Sequence, residues 1–222
     1  MLRTDRTPLA RILLPSRSRV FLTGETDPVR RHYQPLVGFF MNKRLEMALR
    51  LLGNRRFHRL LDAGYGGGVF LPELARRAEE LHGVDVHPYQ AEVEAMAQAE
   101  GLTARLRRAG LCDTGYPDRY FDAVVCISVL EFIGDLRGAI AEIHRIVATR
   151  GTVILGFPGQ NLATSLGYFF ARTPSPGVVH KANYRMILAE ASRHLRLIRL
   201  LRFPCFVPSC LVLYFAAEFE RT

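Results

Sequence analysis

The chain lacks any apolar stretch of the roughly 18 uncharged residues that a membrane-spanning helix needs. It also lacks an internal repeat and a block of five or more consecutive basic residues. The first absence excludes an integral helical membrane protein, and the third removes the dense cationic tract of a nucleic-acid-binding tail. Cysteine is scarce and poorly placed for metal. Cys112, Cys126, Cys205 and Cys210 form no CxxC pair and no disulfide framework. Three of them lie in apolar runs, where cysteine behaves as a small hydrophobe. No structural metal and a reducing, cytoplasmic setting are therefore expected. At the start of the chain the only apolar cluster is Ile12-Leu13-Leu14, too short for a secretory core. Residues 1–30 read as a basic, flexible tail in preference to an organelle transit sequence.

What is present is enough for one substantial core: 222 residues, 49% of them hydrophobic, sized for one α/β domain. The net charge of +9 comes mostly from arginines spread along the chain. It fits a solvated surface, or an anionic partner such as nucleic acid, a membrane surface or an acidic substrate. Hydrophobic spacing predicts helices over 37–52, 70–80, 88–100, 136–147 and 184–194. Strands are predicted at 59–62, 81–86, 103–108, 121–127, 152–157, 197–203 and 211–219. The run 121–127 is apolar nearly throughout, as a strand buried on both faces requires. Alternating strands and helices imply a doubly wound, mainly parallel sheet of seven strands. The last two strands have no helix between them, which predicts an antiparallel hairpin at one edge.

The chemistry concentrates where the first strand meets Asp62-Ala63-Gly64-Tyr65-Gly66-Gly67-Gly68. Open α/β sheets bind ligands at the carboxyl ends of their strands. Glycines there let backbone approach a ligand closely, with a helix N-terminus behind them. A dinucleotide loop, G-x-G-x-x-G, is not what stands here. Counted from Gly64 the sixth position is Val69, and counted from Gly66 it is Leu71. The pattern is D-x-G-x-G-x-G. A strand then ends Gly83-Val84-Asp85, with Asp85 placed 21 residues after Gly64. The stretch 113–125 leads into a fourth strand, 126–135 follows it, and Glu142 to Leu155 carries a helix and a fifth strand.

From about residue 59 to 158 this order resembles the class I S-adenosylmethionine-dependent methyltransferases, in particular the type 11 enzymes that act on small molecules. The resemblance implies a Rossmann-like fold and S-adenosyl-L-methionine as methyl donor, with S-adenosyl-L-homocysteine as product. The cofactor residues it implies are Asp62, Gly64, Tyr65, Gly66, Gly68, Asp85, Val86, Leu111, Cys112, Asp113, Cys126 and Ile127. Asp85 would take both ribose hydroxyls. The sequence departs from the family in three places. Ala109-Gly110 stands where relatives often carry Gly-Asp for adenine, Glu131-Phe132 replaces Glu-His, and Thr149-Arg150-Gly151 replaces Pro-Gly-Gly.

The acceptor is less legible. No Asp/Asn-Pro-Pro-aromatic motif follows the fourth strand, and the only Pro-Cys, Pro204-Cys205, falls between the last two strands. Methylation of nucleobases is therefore disfavoured. An insertion at about 159–183 contains Leu162, Leu166, Tyr168, Phe169 and Phe170 and reads as a lid, which implies a small, largely apolar acceptor. His180 is a candidate general base. Tyr33, with His32, is a candidate group closing over the cofactor, and Glu131 is either a helix-start carboxylate or an orienting group. The expected partner is a small molecule. Peripheral membrane contact through the apolar hairpin at 203–208 stays open, as do monomer and homodimer. Two other readings stand beside this one: a non-catalytic cofactor-binding subunit, and an RNA ribose or cap methyltransferase.

Overall fold

A computed structural model describes residues 12–23, 29–159 and 180–222, excepting the side chain of Ser209. Its elements in chain order are α1 (Pro35–Leu52), β1 (Phe57–Ala63), α2 (Leu71–Ala75), β2 (Ala78–Asp85), α3 (Gln90–Ala99), β3 (Arg105–Arg108) and β4 (Phe121–Ile127). They continue with α4 (Leu136–Ile146), β5 (Val147–Pro158), α5 (Tyr184–His194), β6 (Arg196–Phe203) and β7 (Tyr214–Glu220). Single 3-10 turns stand at Val29–Tyr33, Leu130–Phe132 and Ser209–Leu211.

The seven strands run in the order β3-β2-β1-β4-β5-β7-β6. The first five are parallel, and β7 is antiparallel to both β5 and β6. The expected edge hairpin is thus present, closed by a connection that begins at Phe203. Side chains alternate between two cores. Phe121, Val124 and Cys126 of β4 face one side with α4 and α5, while Ala123 and Val125 face the other with α1, α2 and α3. Helices on both faces explain why β4 is apolar at consecutive positions instead of alternate ones. Each fully buried Phe or Leu contributes about 1.5–3 kcal/mol, and Phe121, Phe157 and Phe219 are among the largest.

Helix ends follow local chemistry. Asn183 accepts from the amides of Arg185 and Met186 at the start of α5, and Asp135 accepts from Gly138 at the start of α4. These caps each contribute about 1 kcal/mol. Several boundaries differ from the sequence reading: β5 begins at Val147 instead of residue 152, β7 begins at Tyr214 instead of residue 211, and α2 and β2 are displaced. The helix expected over 70–80 stops at Ala75, and β2 already begins at Ala78. Pairing of Phe57 with Ala78 and Arg59 with Glu80 draws those residues into the sheet. Residues 12–23, read as part of a basic tail, lie along α2 and α3. Leu13 donates its amide to Glu73, Arg19 reaches Glu100, and Ile12, Leu14, Val20 and Leu22 pack on the second core. No helix among the described residues is long and apolar enough to cross a membrane.

Candidate functional site

At the carboxyl end of β1 the chain turns sharply. Gly64 donates to the carbonyl of Val84 at 2.8 Å, and Gly68 donates to that of Tyr65 at 2.8 Å. Gly64 and Gly66 have φ of +90° and +48°, a region that side chains with a Cβ rarely adopt. A Cβ on Gly64 would stand 2.2 Å from Val129 Cγ2, so the segment after β4 packs directly on this turn. A Cβ on Gly66 would meet nothing within 4 Å. Gly66 therefore presents backbone to open space at the carboxyl end of the sheet.

Asp85, at the end of β2, fixes that turn. Its Oδ2 accepts from the Gly66 amide at 2.8 Å and its Oδ1 from the Val86 amide at 2.7 Å. Since a carboxylate offers about four acceptor positions, it keeps capacity for further donors. Val86 beside it is 67% exposed, an apolar side chain held out at the same edge. Asp62, just before the turn, is buried, and its Oδ2 has no hydrogen-bond partner. Burial, reinforced by the nearby Asp85 charge, pushes its pKa up to about 7. A buried carboxylate oxygen without a donor matches a site whose donor arrives with a ligand. His87, which the sequence reading missed, adds a contact between its Nε2 and the Gly66 carbonyl at 3.0 Å, and its ring meets the Tyr65 ring edge-on at 5.0 Å.

The structure sorts the other sequence candidates. Tyr65, Leu111 and Cys126 bury their side chains in the two cores, so in this arrangement only their backbone is at the strand ends. Gly68 packs closely on Val93 and Met96 of α3. Ile127 is half-buried on the face opposite Cys126. Cys112 and Asp113 are exposed on a turn closed by a bridge between Gly110 and Asp113. A Cβ on Gly110 would meet nothing within 4 Å, so the side of the site without the usual acid is open. Tyr33 donates its hydroxyl to the Pro15 carbonyl at 2.6 Å, which ties it to the N-terminal segment along α3. Burial and the Glu100 charge push its pKa up to about 12. His180 stands edge-on to Phe132 with centroids 4.9 Å apart, and burial lowers its pKa. The rest of the expected lid, 160–179 with Leu162, Leu166, Tyr168, Phe169 and Phe170, lies outside the described residues.

A second group of polar side chains gathers at the end of β4. Ser128, with φ of +59°, places its Oγ 2.8 Å from the hydroxyl of Tyr214 on β7. Arg44 of α1 donates to the same Oγ at 3.2 Å and lies 5.9 Å from the Tyr214 ring centroid. Glu131 is buried, with Oε2 unpartnered. Burial pushes its pKa up to about 8 against the opposing pull of Arg44. Its backbone carbonyl accepts from Lys181 and Ala182, which fastens the start of α5 to this end of the sheet. Among the described residues no group of His, Cys, Asp and Glu could hold a metal ion.

A seven-stranded sheet of this order, with a glycine turn after β1 and an acid at the end of β2, defines a Rossmann-like doubly wound domain whose ligand crevice lies at the carboxyl ends of the strands. Residues 61–155 match a family described as "Methyltransferase domain". A protein from Alkalilimnicola ehrlichii described as ubiquinone biosynthesis O-methyltransferase is 30% identical over 122 residues, which are 53% of this chain and 49% of that protein. A demethylmenaquinone methyltransferase from Tropheryma whipplei is 24% identical over 110 residues, 49% of this chain and 45% of that one. The N-methyltransferase NodS from Bradyrhizobium japonicum, solved with S-adenosyl-L-homocysteine, shares the fold with a TM-score of 0.67 at 19% identity, over 90% of this chain and 94% of that one. Residues 61–155 are thus similar to the methyltransferase-domain family, and the fold is the one NodS has. It spans about half the length of the curated relatives it matches.

Proposed function

We propose that the chain binds S-adenosyl-L-methionine at the Gly64–Gly68 turn and methylates a small, largely apolar organic acceptor at the end of β4. The observation that carries the first half is the open backbone of Gly66, braced by Asp85 and flanked by the partnerless Oδ2 of Asp62. These residues fit the group. Asp85 has acceptor capacity for ribose hydroxyls, exposed Val86 offers an apolar surface to the adenine, and Asp62 offers a carboxylate to the cofactor's ammonium group. Arg44, whose guanidinium reaches the Met41 carbonyl and sulfur and Ser128 Oγ, suits the cofactor's carboxylate. When bound, the cofactor supplies a methyl group on a sulfonium, which needs no activation from the protein.

What remains for the chain's own residues is to align an acceptor and exclude water. The Ser128 and Tyr214 hydroxyls would orient a hydroxyl or amine. Burial holds the Tyr214 phenol protonated as a hydrogen-bond donor, its pKa driven far above the ordinary value of 10. His180, its pKa lowered by burial, is neutral at neutral pH and suited to accept the acceptor's proton. The relatives described as ubiquinone-biosynthesis, demethylmenaquinone and ajmaline methyltransferases support a small-molecule acceptor, and the first two favour a quinone-like ring.

Calorimetric titration with S-adenosyl-L-methionine, followed by a screen of phenols, amines and carboxylic acids for demethylated product, tests both halves. Cofactor binding without turnover on any of them would identify a non-catalytic subunit. Turnover on RNA alone would overturn the acceptor class.

A further inference from the structure

We infer that the start of α1 and the β6–β7 connection together form a face that docks on an anionic lipid surface. Leu36, Phe39 and Phe40 are 74%, 55% and 44% exposed, and Phe206 is 86% exposed. Single apolar side chains on a surface need no explanation, but Phe39 and Phe40 are grouped. The rings of Phe39 and Phe40 lie 5.4 Å apart, and each is 6.2 Å from Phe203 at the end of β6. Two elements more than 150 residues apart in sequence thus expose aromatic surface side by side.

The charge around this surface selects the occupant. Residues 29–46 and 196–220 contain seven Lys and Arg against three Glu; Glu46, Glu218 and Glu220 pair with Lys43, Arg199 and Arg196, so the surface keeps an excess of four positive charges. Lys43, ion-paired with Glu46 at 2.9 Å, has its Nζ 5.7 Å from the Phe203 ring centroid, its stem along apolar surface and its head at the rim. A second copy would have to set this same cationic patch against itself, because a twofold interface pairs identical surfaces. An anionic bilayer instead offers negative headgroups to the bases and an acyl boundary to the rings, as interfacial segments require. The face adjoins the proposed acceptor end: Phe203 pairs across the sheet with Tyr214, whose hydroxyl meets Ser128. The docking surface itself does not depend on what the acceptor is.

Flotation of the full chain with phosphatidylcholine vesicles, with and without phosphatidylglycerol, tests this. Binding is expected only with phosphatidylglycerol and should weaken with added salt. The double variant Phe39→Ser/Phe206→Ser should lose at least about tenfold in partitioning, while Met186→Ser, at an exposed position of α5, should bind as the unaltered chain does. Circular dichroism verifies folding, and Leu36→Ser alone decides the matter if the double variant does not fold. The proposal fails if the unaltered chain ignores anionic vesicles at low salt, or if the variants of the face bind undiminished. It also fails if sedimentation shows a dimer that those variants dissociate, since the face would then belong to a second copy.

Discussion

The two ends of the site are built from different materials. At the ends of β1 and β2 the working surface is mostly backbone: the Gly66 turn, the amides held by Asp85, and one carboxylate at Asp62. At the end of β4 it consists of side chains from separate elements: Tyr214 of β7 meets Ser128 across 86 positions of sequence, and Arg44 of α1, which also suits the cofactor's carboxylate, meets it across 84. A surface made of backbone suits a ligand that never changes, because main-chain geometry tolerates little substitution. A surface made of side chains can be altered one residue at a time, which suits the end proposed to select an acceptor.

The sharpest way to break this contrast is at Gly66. Gly66→Val places a β-branched residue at φ of +48° and fills the open space. Cofactor binding should vanish in calorimetry. The backbone strain, about 1–2 kcal/mol, is too small to unfold a domain stabilised by about 5–15 kcal/mol. Normal affinity would remove the turn from the site.

Asp85→Ala should cost at least about tenfold in cofactor affinity, since two charge-assisted hydrogen bonds of about 1.5–3 kcal/mol each are lost, partly offset by water. Asp85→Asn keeps the shape but not the charge and should fall between. Equal affinity for all three proteins would make Asp85 only the brace of the Gly66 amide.

Tyr214→Phe tests the other end. Turnover should fall several-fold while cofactor affinity stays within about twofold, because the phenol faces Ser128 and not the glycine turn. A matching loss of cofactor affinity would show that the two ends are not separable.

The smallest effects are in pH. Asp62 and Glu131 have folded-state pKa values raised from ordinary carboxylate values of 3.8 and 4.5 to about 7 and about 8. Their protonated forms favour the folded state. Stability should be greatest below pH of about 4 and fall as pH rises through about 7 and 8. Asp62→Asn and Glu131→Gln should each flatten that decline in thermal melts. Cofactor binding should show the opposite slope at Asp62. A bound cation favours the ionised carboxylate, so affinity should rise with pH up to about 7 in the unaltered chain and not in Asp62→Asn.

The sequence alone determined the seven-stranded sheet, the edge hairpin and the glycine turn. Each is written in contiguous residues: a strand buried on both faces is apolar nearly throughout, and a tight turn with repeated positive φ favours glycine. It misplaced the end of α2 because 75–80 reads Ala-Arg-Arg-Ala-Glu-Glu, good helix formers, yet pairing with β1 outweighs that propensity from Ala78 onward. Arg44, Ser128, Tyr214 and His87 carry no local signal at all. Only the tertiary structure brings them to the strand ends, because a side-chain cluster depends on which elements neighbour one another and not on spacing along the chain. The same holds for Phe39, Phe40 and Phe203, which become one surface only when α1 crosses the end of the hairpin. Burial of Cys126 and Leu111 was likewise decided by packing. A strand end exposes alternate residues, and which of them face a ligand is fixed by the helices that cover the others.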